Sequence, residues 1–272
     1  MAIRVTLVEM KRELVLACLA AAGLAAQDNQ LTPAEKSAGW KLLFNGKDMS
    51  GWDDPRVKNP PGDAWTIDDG CLKANAHPRI TEDLFSQDKF GDFDLLFDWR
   101  ISPAGNSGVK YRIQDHVFLH GLAPRFEAIV NNSLRDRRTD RPDRGQDYVI
   151  GFEYQIIDNV RNSDGRVGPS HQTAALYDME PPERDATLPV GQFNHSRLVV
   201  KGKHVEHWLN GVKVVDADLG AEEVKAHIAK RWTKNSPVYD LLAGQPKYEC
   251  QISLQNHGDE VWFRNIKIRS IE

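Results

Sequence analysis

Glu153 and Gln155 stand two apart in the segment GFEYQII, and Gln255 and His257 stand two apart in SLQNH. Successive side chains of a strand point to opposite faces. Each pair therefore shares one face, while Phe152, Tyr154, Ile156 and Leu254 take the other. A partly desolvated carboxylate and an imidazole can exchange protons with a substrate near neutral pH, so Glu153 and His257 are candidates for an acid/base pair. The same parity sets Arg100 with Asp98, Lys110 with Arg112, and Glu206 with Trp208 and Asn210. Amides such as Gln155, Asn210 and Gln255 match pairs of sugar hydroxyls. Arg100, Lys110 and Arg112 offer charge to carbonyl or carboxylate oxygens, and the Trp208 indole can stack on a pyranose ring. Together these groups make up the inventory of a carbohydrate site. Each also has a plain structural use. Glu153 can pair with Arg100 or Arg112 across strands, His257 can be a turn residue before Gly258, and Trp208 enters the core if its strand slips by one residue.

The elements that must position these groups are short strands. Trp40–Phe44 runs into the turn Asn45-Gly46, and Trp65–Ile67 turns at Asp68-Asp69-Gly70 into Cys71–Ala74. Further alternating segments cover 93–101, 109–113, 152–157, 197–200, 205–209, 251–254 and 261–268. Asn210-Gly211 directly after 205–209 is a strong hairpin signal. Many short strands with regular turns predict an all-β sandwich or jelly roll of two antiparallel sheets, with Phe97, Trp99, Ile156 and Leu254 in its core. One helix is expected near 221–231, where Val224, Ile228 and Trp232 recur at helical spacing. Residues 114–148 read as a long insertion, and loops of this length usually carry function or move.

The chain has 272 residues, a formal net charge of −4 and 40% hydrophobic residues, enough for one large β domain. The Arg-rich run from Arg135 to Arg144 is interleaved with Asp136, Asp140 and Asp143, which cancels its field and argues against a nucleic-acid partner. Lys11 and Arg12, the apolar run 14–26 and the small residues that close it form the pattern of a secretory signal peptide over 1–26. The run is too short to span a bilayer, so no membrane span is expected. A linker over 27–38 and one domain over 39–272 follow, and a periplasmic or secreted location is the expectation. Cys71 and Cys250 would then sit in an oxidising compartment, and spacing alone does not decide whether they bond.

Seven segments in order carry a resemblance along most of the chain: GWKLLFNGKDMSGW (39–52), AWTIDDGCL (64–72), FGDFDLLFDWRISPAGNSGVKYR (90–112), GFEYQIIDN (151–159), TAALYD (173–178), GQFNHSRLVVKGKHVEHWLNG (191–211) and SLQNHGDEVWFRNIKI (253–268). The chain resembles the 3-keto-disaccharide hydrolase domain family. That resemblance implies a concanavalin A-like jelly roll with ligand on a concave face, and cleavage of glycosides whose glucose C3 is a ketone. Ala174, Gln192-Phe193-Asn194 and Asn256 depart from the family's pattern. A C3 ketone acidifies the C2 hydrogen, so the C1 substituent can leave by β-elimination and water can then add. Such a site needs a base, an acid and a cradle for the enolate oxygen. Glu153 and His257 are the base and acid in an order the sequence leaves open, Arg112 or Lys110 is the cradle, and Asn106 and Gln155 orient hydroxyls. No compact metal motif is present, although a divalent cation held by Glu153, His257 or Asp158 is a second way to supply the charge. A non-catalytic lectin-like module is the competing reading, since a fold does not fix a function.

Overall fold

A computed structural model describes residues 28–58, 62–120, 145–234, 236–244 and 246–271. The expected signal peptide over 1–26 and the Arg/Asp-rich run both lie outside the described residues.

Among the described residues, thirteen strands form two sheets. In chain order they are β1 (Lys41–Leu42), β2 (Trp65–Asp68), β3 (Cys71–Ala74), β4 (Ile80–Thr81), β5 (Leu84–Phe85), β6 (Phe93–Ile101), β7 (Asn106–His120), β8 (Gly145–Ile157), β9 (Asn194–Lys201), β10 (His204–Leu209), β11 (Val212–Asp218), β12 (Ser253–Leu254) and β13 (Val261–Ser270). The larger sheet runs β11-β10-β9-β6-β13-β3-β2, with β1 paired to β13. The smaller runs β4-β8-β7-β12-β5 and is antiparallel except for the short β4–β8 pairing. This is the expected all-β jelly-roll sandwich.

Alternation explains the packing. Phe93, Leu95, Phe97, Trp99 and Ile101 of β6 are all buried, as are Val109 and Tyr111 of β7, Phe152, Tyr154 and Ile156 of β8, and Leu254 of β12. They meet between the sheets, where the Phe97 and Tyr154 rings cross edge-on at 5.4 Å. Polar groups in this core are paired, as burial demands. His207 of β10, fully buried, has Nδ1 2.9 Å from the Ala174 carbonyl oxygen and Nε2 3.0 Å from the Tyr111 hydroxyl. Burial pushes its pKa down to about 4, so it packs as a neutral ring. Asn210 and Gly211 adopt positive φ (49° and 81°) in the β10–β11 turn, as the Asn-Gly signal implies.

Residues 28–38, expected as a linker, are tied to β13. Thr32 and Glu35 form a capping box at the head of α1 (Pro33–Ser37), and Glu35 Oε1 lies 2.7 Å from Lys267 Nζ. Asn29 and Asn265 exchange backbone-to-side-chain hydrogen bonds at 2.6 and 2.9 Å. The flanks of the 114–148 segment are strand rather than loop, since β7 runs to His120 and pairs with β8 from Gly145. The predicted helix is α2 (Glu222–Trp232), which buries Val224, Ile228 and Trp232. Cys71 and Cys250 are both buried and unbonded.

Candidate active site

β7, β8 and β12 present the face of the smaller sheet that points away from the core. On it lies a cavity of about 60 Å³ lined by Asn106, Lys110, Glu153, Gln155, Gln255 and His257, six of the ten expected site residues. Gln146, Tyr148, Asp164, Tyr177 and Arg231 complete the lining. Larger concavities exist elsewhere, such as a mostly apolar one of about 340 Å³ around Leu219, Leu242 and Tyr248. One of about 350 Å³ on the larger sheet also brings together Asp28, Asp98, His195 and Asn265, but these groups are bonded to one another. The smaller cavity sets an imidazole and amides beside a carboxyl whose pKa is raised, so chemistry rather than volume marks it as the site.

Backbone pairing explains the convergence. Lys110 is the direct partner of Glu153, and Gly108 of Gln155, across β7 and β8. Beyond β12 the chain stays bound to β7, with Gln255 N donating to Gly108 O at 2.9 Å and Ser107 Oγ donating to Gln255 O at 2.8 Å. The buried Asn256 then donates to Ala64 O and Asn75 O and accepts from Gly258 N, which fixes the turn bearing His257.

Charges bracket Glu153. On one side Lys110 Nζ lies 3.3 Å from Asp83 Oδ2, an ion pair that is almost wholly buried. Ser253 Oγ donates to the same oxygen at 2.9 Å. On the other side Arg231, from the last turn of α2, donates to Asp178 at 2.9 Å. Desolvation pushes the Glu153 carboxyl from 4.5 up to about 7, against the pull of Lys110. Burial would lower the Lys110 pKa, but Asp83 and Glu153 outweigh it and hold the ammonium above its usual value. His257 opens to solvent at the mouth, yet burial and then the Lys110 charge pull its pKa below the ordinary value, favouring the neutral ring. Gln255 is 8% exposed, and its Oε1 has no hydrogen-bond partner among the described residues. A buried acceptor left open in a cavity is costly unless a ligand or solvent donor fills it.

The remaining four expected residues lie elsewhere. Arg100, Trp208 and Asn210 belong to the larger sheet or its turns, because equal parity on different strands does not place side chains on one sheet. The Arg100 guanidinium lies over the rings of Phe193 and Trp262 at 5.1 and 4.5 Å. Trp208 Nε1 donates to Glu206 Oε2 at 2.8 Å, and Asn210 Nδ2 donates to Ala186 O and to Asn194 Oδ1. Arg112 starts on the correct strand, but β7 bulges between Tyr111 and Asp115 and Arg112 takes φ 49°. Its side chain turns away and donates to the carbonyls of Gly91, Tyr248 and Gly202 and to Asp92. It is a staple between loops. Asp158 is a backbone cap, accepting from the N–H groups of Ala104, Val160 and Arg161.

For a divalent cation, the cavity offers the Glu153 carboxylate, a His257 nitrogen and the open Gln255 Oε1. Among the described residues, three His, Cys, Asp or Glu ligand atoms lie within 4.8 Å of one another only at His204, Glu206 and Asp216, on the larger sheet. There Lys213 already pairs with both carboxylates.

The family model described as a 3-keto-alpha-glucoside-1,2-lyase-like domain matches residues 39–269. The chain belongs to this family. It is 29% identical over 266 residues to a Bacteroides thetaiotaomicron protein named 3-keto-disaccharide hydrolase, covering 91% of this chain and 84% of that one. A crystal structure from Parabacteroides distasonis ATCC 8503, provisionally assigned as a glycosyl hydrolase, is similar at 28% identity and a TM-score of 0.66 over 90% of this chain and all of that one. A second from the same organism, with the same provisional assignment, is similar at 26% identity and a TM-score of 0.55 over 85% of this chain and 99% of that one.

Among the cavity residues, Tyr177 lies within the segment TAALYD, so the resemblance alone could have marked it. Arg231 sits on the buried-face helix, and Asp164 in a loop with no pattern to mark it.

Proposed function

We propose that this protein is a glycoside-cleaving enzyme acting on 3-keto-glycosides, outside the cytoplasm once its leader has been removed. The observation that carries this reading is one cavity holding a carboxyl poised near neutrality, a neutral imidazole and an open buried amide oxygen. A lectin needs amides and aromatic rings but no such titrating pair.

Glu153 removes the C2 proton. A base works best when its pKa lies near the working pH, and a carboxyl at about 7 meets that condition where an ordinary glutamate does not. The C2–H electron pair moves toward C3 and the ketone oxygen becomes an enolate. As the ketone re-forms, the C1–O bond breaks and C1=C2 forms. Protonated Glu153 returns its proton to the departing oxygen. Water then adds at C1, conjugate to the ketone, with neutral His257 taking its proton and C2 gaining one, so that the sum is hydrolysis. Gln255 Oε1 accepts from a sugar hydroxyl, with Asn106 and Gln155 beside it.

The test is incubation with a 3-keto-disaccharide and with its unoxidised parent, each with and without chelator. The expected result is cleavage of the ketone alone. Binding of both sugars with cleavage of neither would replace the enzyme with a carbohydrate-binding module.

A further inference from the structure

Behind Glu153, on the side of α2, lies a second, smaller cavity of about 30 Å³. Four residues line both this cavity and the main one: Tyr148, Glu153, Tyr177 and Arg231. Arg231 therefore stands with Glu153 at the wall between them, whereas His257 lines only the main cavity.

A closed ring of contacts holds it there. Arg231 Nη1 donates to Asp178 Oδ2 at 2.9 Å, and Arg231 Nη2 lies 3.3 Å from the Tyr148 hydroxyl. Asp178 Oδ1 faces His171 Nε2 at 3.3 Å, and His171 Nδ1 faces Asp164 Oδ1 at 2.9 Å. Asp164 Oδ2 accepts from the Tyr177 hydroxyl at 3.0 Å, and the Tyr177 ring lies under the guanidinium at 5.0 Å. Tyr177 N is itself bonded to Glu153 O at 3.0 Å, so the ring is anchored to the strand that carries the base.

We propose that Arg231 is the cation that receives the C3 enolate oxygen, and that Asp178 and His171 are positioning residues that aim it. This rests on the keto-glycoside reading above. The chemistry fixes the order of groups along the sugar edge: enolate oxygen at C3, proton at C2, leaving oxygen at C1. Arg231 and Glu153 share the wall between the two cavities while His257 lines only the main one, so Arg231 can face C3 with Glu153 at C2 and His257 toward C1, where water adds. Lys110 is less suited, because its ammonium is a buried point charge committed to Asp83 and stands directly across from Glu153. A guanidinium has five N–H donors in a fixed plane and can keep one carboxylate while turning others to an oxyanion. In the proton-transfer step the C2–H bond breaks, its electron pair becomes the C2=C3 bond, and the carbonyl π pair moves onto the oxygen facing Arg231. The proton rests on Glu153, and no oxidant or other reactant is needed.

The experiment compares Arg231→Met, Arg231→Lys, Asp178→Asn and His171→Gln with the parent protein. It measures kcat and KM on a 3-keto-glycoside and Kd for the unoxidised parent sugar. Loss of one oxyanion donor costs about 10²–10³-fold in kcat, so Arg231→Met should lose on that order while Kd for the unoxidised sugar changes little. Arg231→Lys should recover part of the loss. Asp178→Asn and His171→Gln should lower kcat more than they raise KM. A merely structural ring would move both sugars alike and lower the melting temperature in step with activity. Parental kcat in Arg231→Met, or in Arg231→Lys should the first variant not fold, would overturn the proposal while leaving the keto-glycoside reading intact. A parent protein that cleaves no 3-keto-glycoside would overturn both.

Discussion

Gly108 of β7 lies directly beneath the Glu153 side chain: a Cβ built at 108 would fall 2.3 Å from Glu153 Oε1 and 2.9 Å from its Cγ. The missing side chain leaves room for the carboxylate to lie across the neighbouring strand and into the cavity. The contact is with the mobile end of a side chain, so a methyl group there should redirect Glu153 rather than unfold the sheet. Gly108→Ala should therefore keep a near-parental melting temperature and lose roughly the 10²–10⁴-fold that a general base contributes. Paired melting curves and turnover on a 3-keto-glycoside check this, and full activity in Gly108→Ala would contradict it.

The same carboxyl burdens the fold at high pH. Its pKa rises from 4.5 unfolded to about 7 folded. Between those values the folded chain keeps a proton that the unfolded chain has released, so this group's contribution to stability falls as pH rises through the window. At pH 8 the cost is at most on the order of 3 kcal/mol, at about 1.4 kcal/mol for each pH unit. Glu153→Gln should raise the melting temperature at pH 8 and change it little at pH 4. Equal shifts at both pH values would show that the carboxyl is not raised.

Arg112 was expected to cradle substrate, but it ties three backbone carbonyls and Asp92 together. Arg112→Met should cost about 3 kcal/mol, the scale for removing one partner of a buried ion pair. KM of the folded fraction should hardly move. Denaturant melts with kinetics below the transition distinguish this from a substrate contact, which would raise KM without destabilising.

Ala174 is fully buried at φ 68°, with its carbonyl bound by His207. A left-handed L residue costs about 1–2 kcal/mol, and glycine escapes this at an entropic cost of about 0.5–1 kcal/mol. Ala174→Gly should thus stabilise by a few tenths to about 1 kcal/mol, measured by chemical denaturation. A clear loss of stability would mean that the methyl group packs better than the backbone suffers.

Much of this architecture was legible because β alternation reports faces directly: Phe152 and Tyr154 inward, Glu153 outward. The Asn210-Gly211 turn and the helix carrying Val224, Ile228 and Trp232 followed from equally local rules. What alternation does not report is which sheet a strand joins, so Arg100 and Trp208 were grouped with a site on the other side of the core. Between Tyr111 and Asp115 the register of β7 against β8 shifts by two residues, which no alternation announces, and Arg112 is sent away from the cavity. Arg231 was hidden for a different reason. Its helix was read for its buried stripe, and only the tertiary fold shows that its last turn reaches Glu153. Asp164 lies in a loop held by His171 and Tyr177, contacts that no alternation announces.

The most direct test of the account follows the C2 hydrogen. Cleavage of a 3-keto-disaccharide is run in D₂O, and the keto-sugar product is compared with the same product held in identical buffer without turnover. If Glu153 abstracts the C2 proton before the glycosidic bond breaks, the product carries deuterium at C2 and Glu153→Gln releases almost none of it. Cleavage at a normal rate with the original hydrogen retained at C2 would contradict the account.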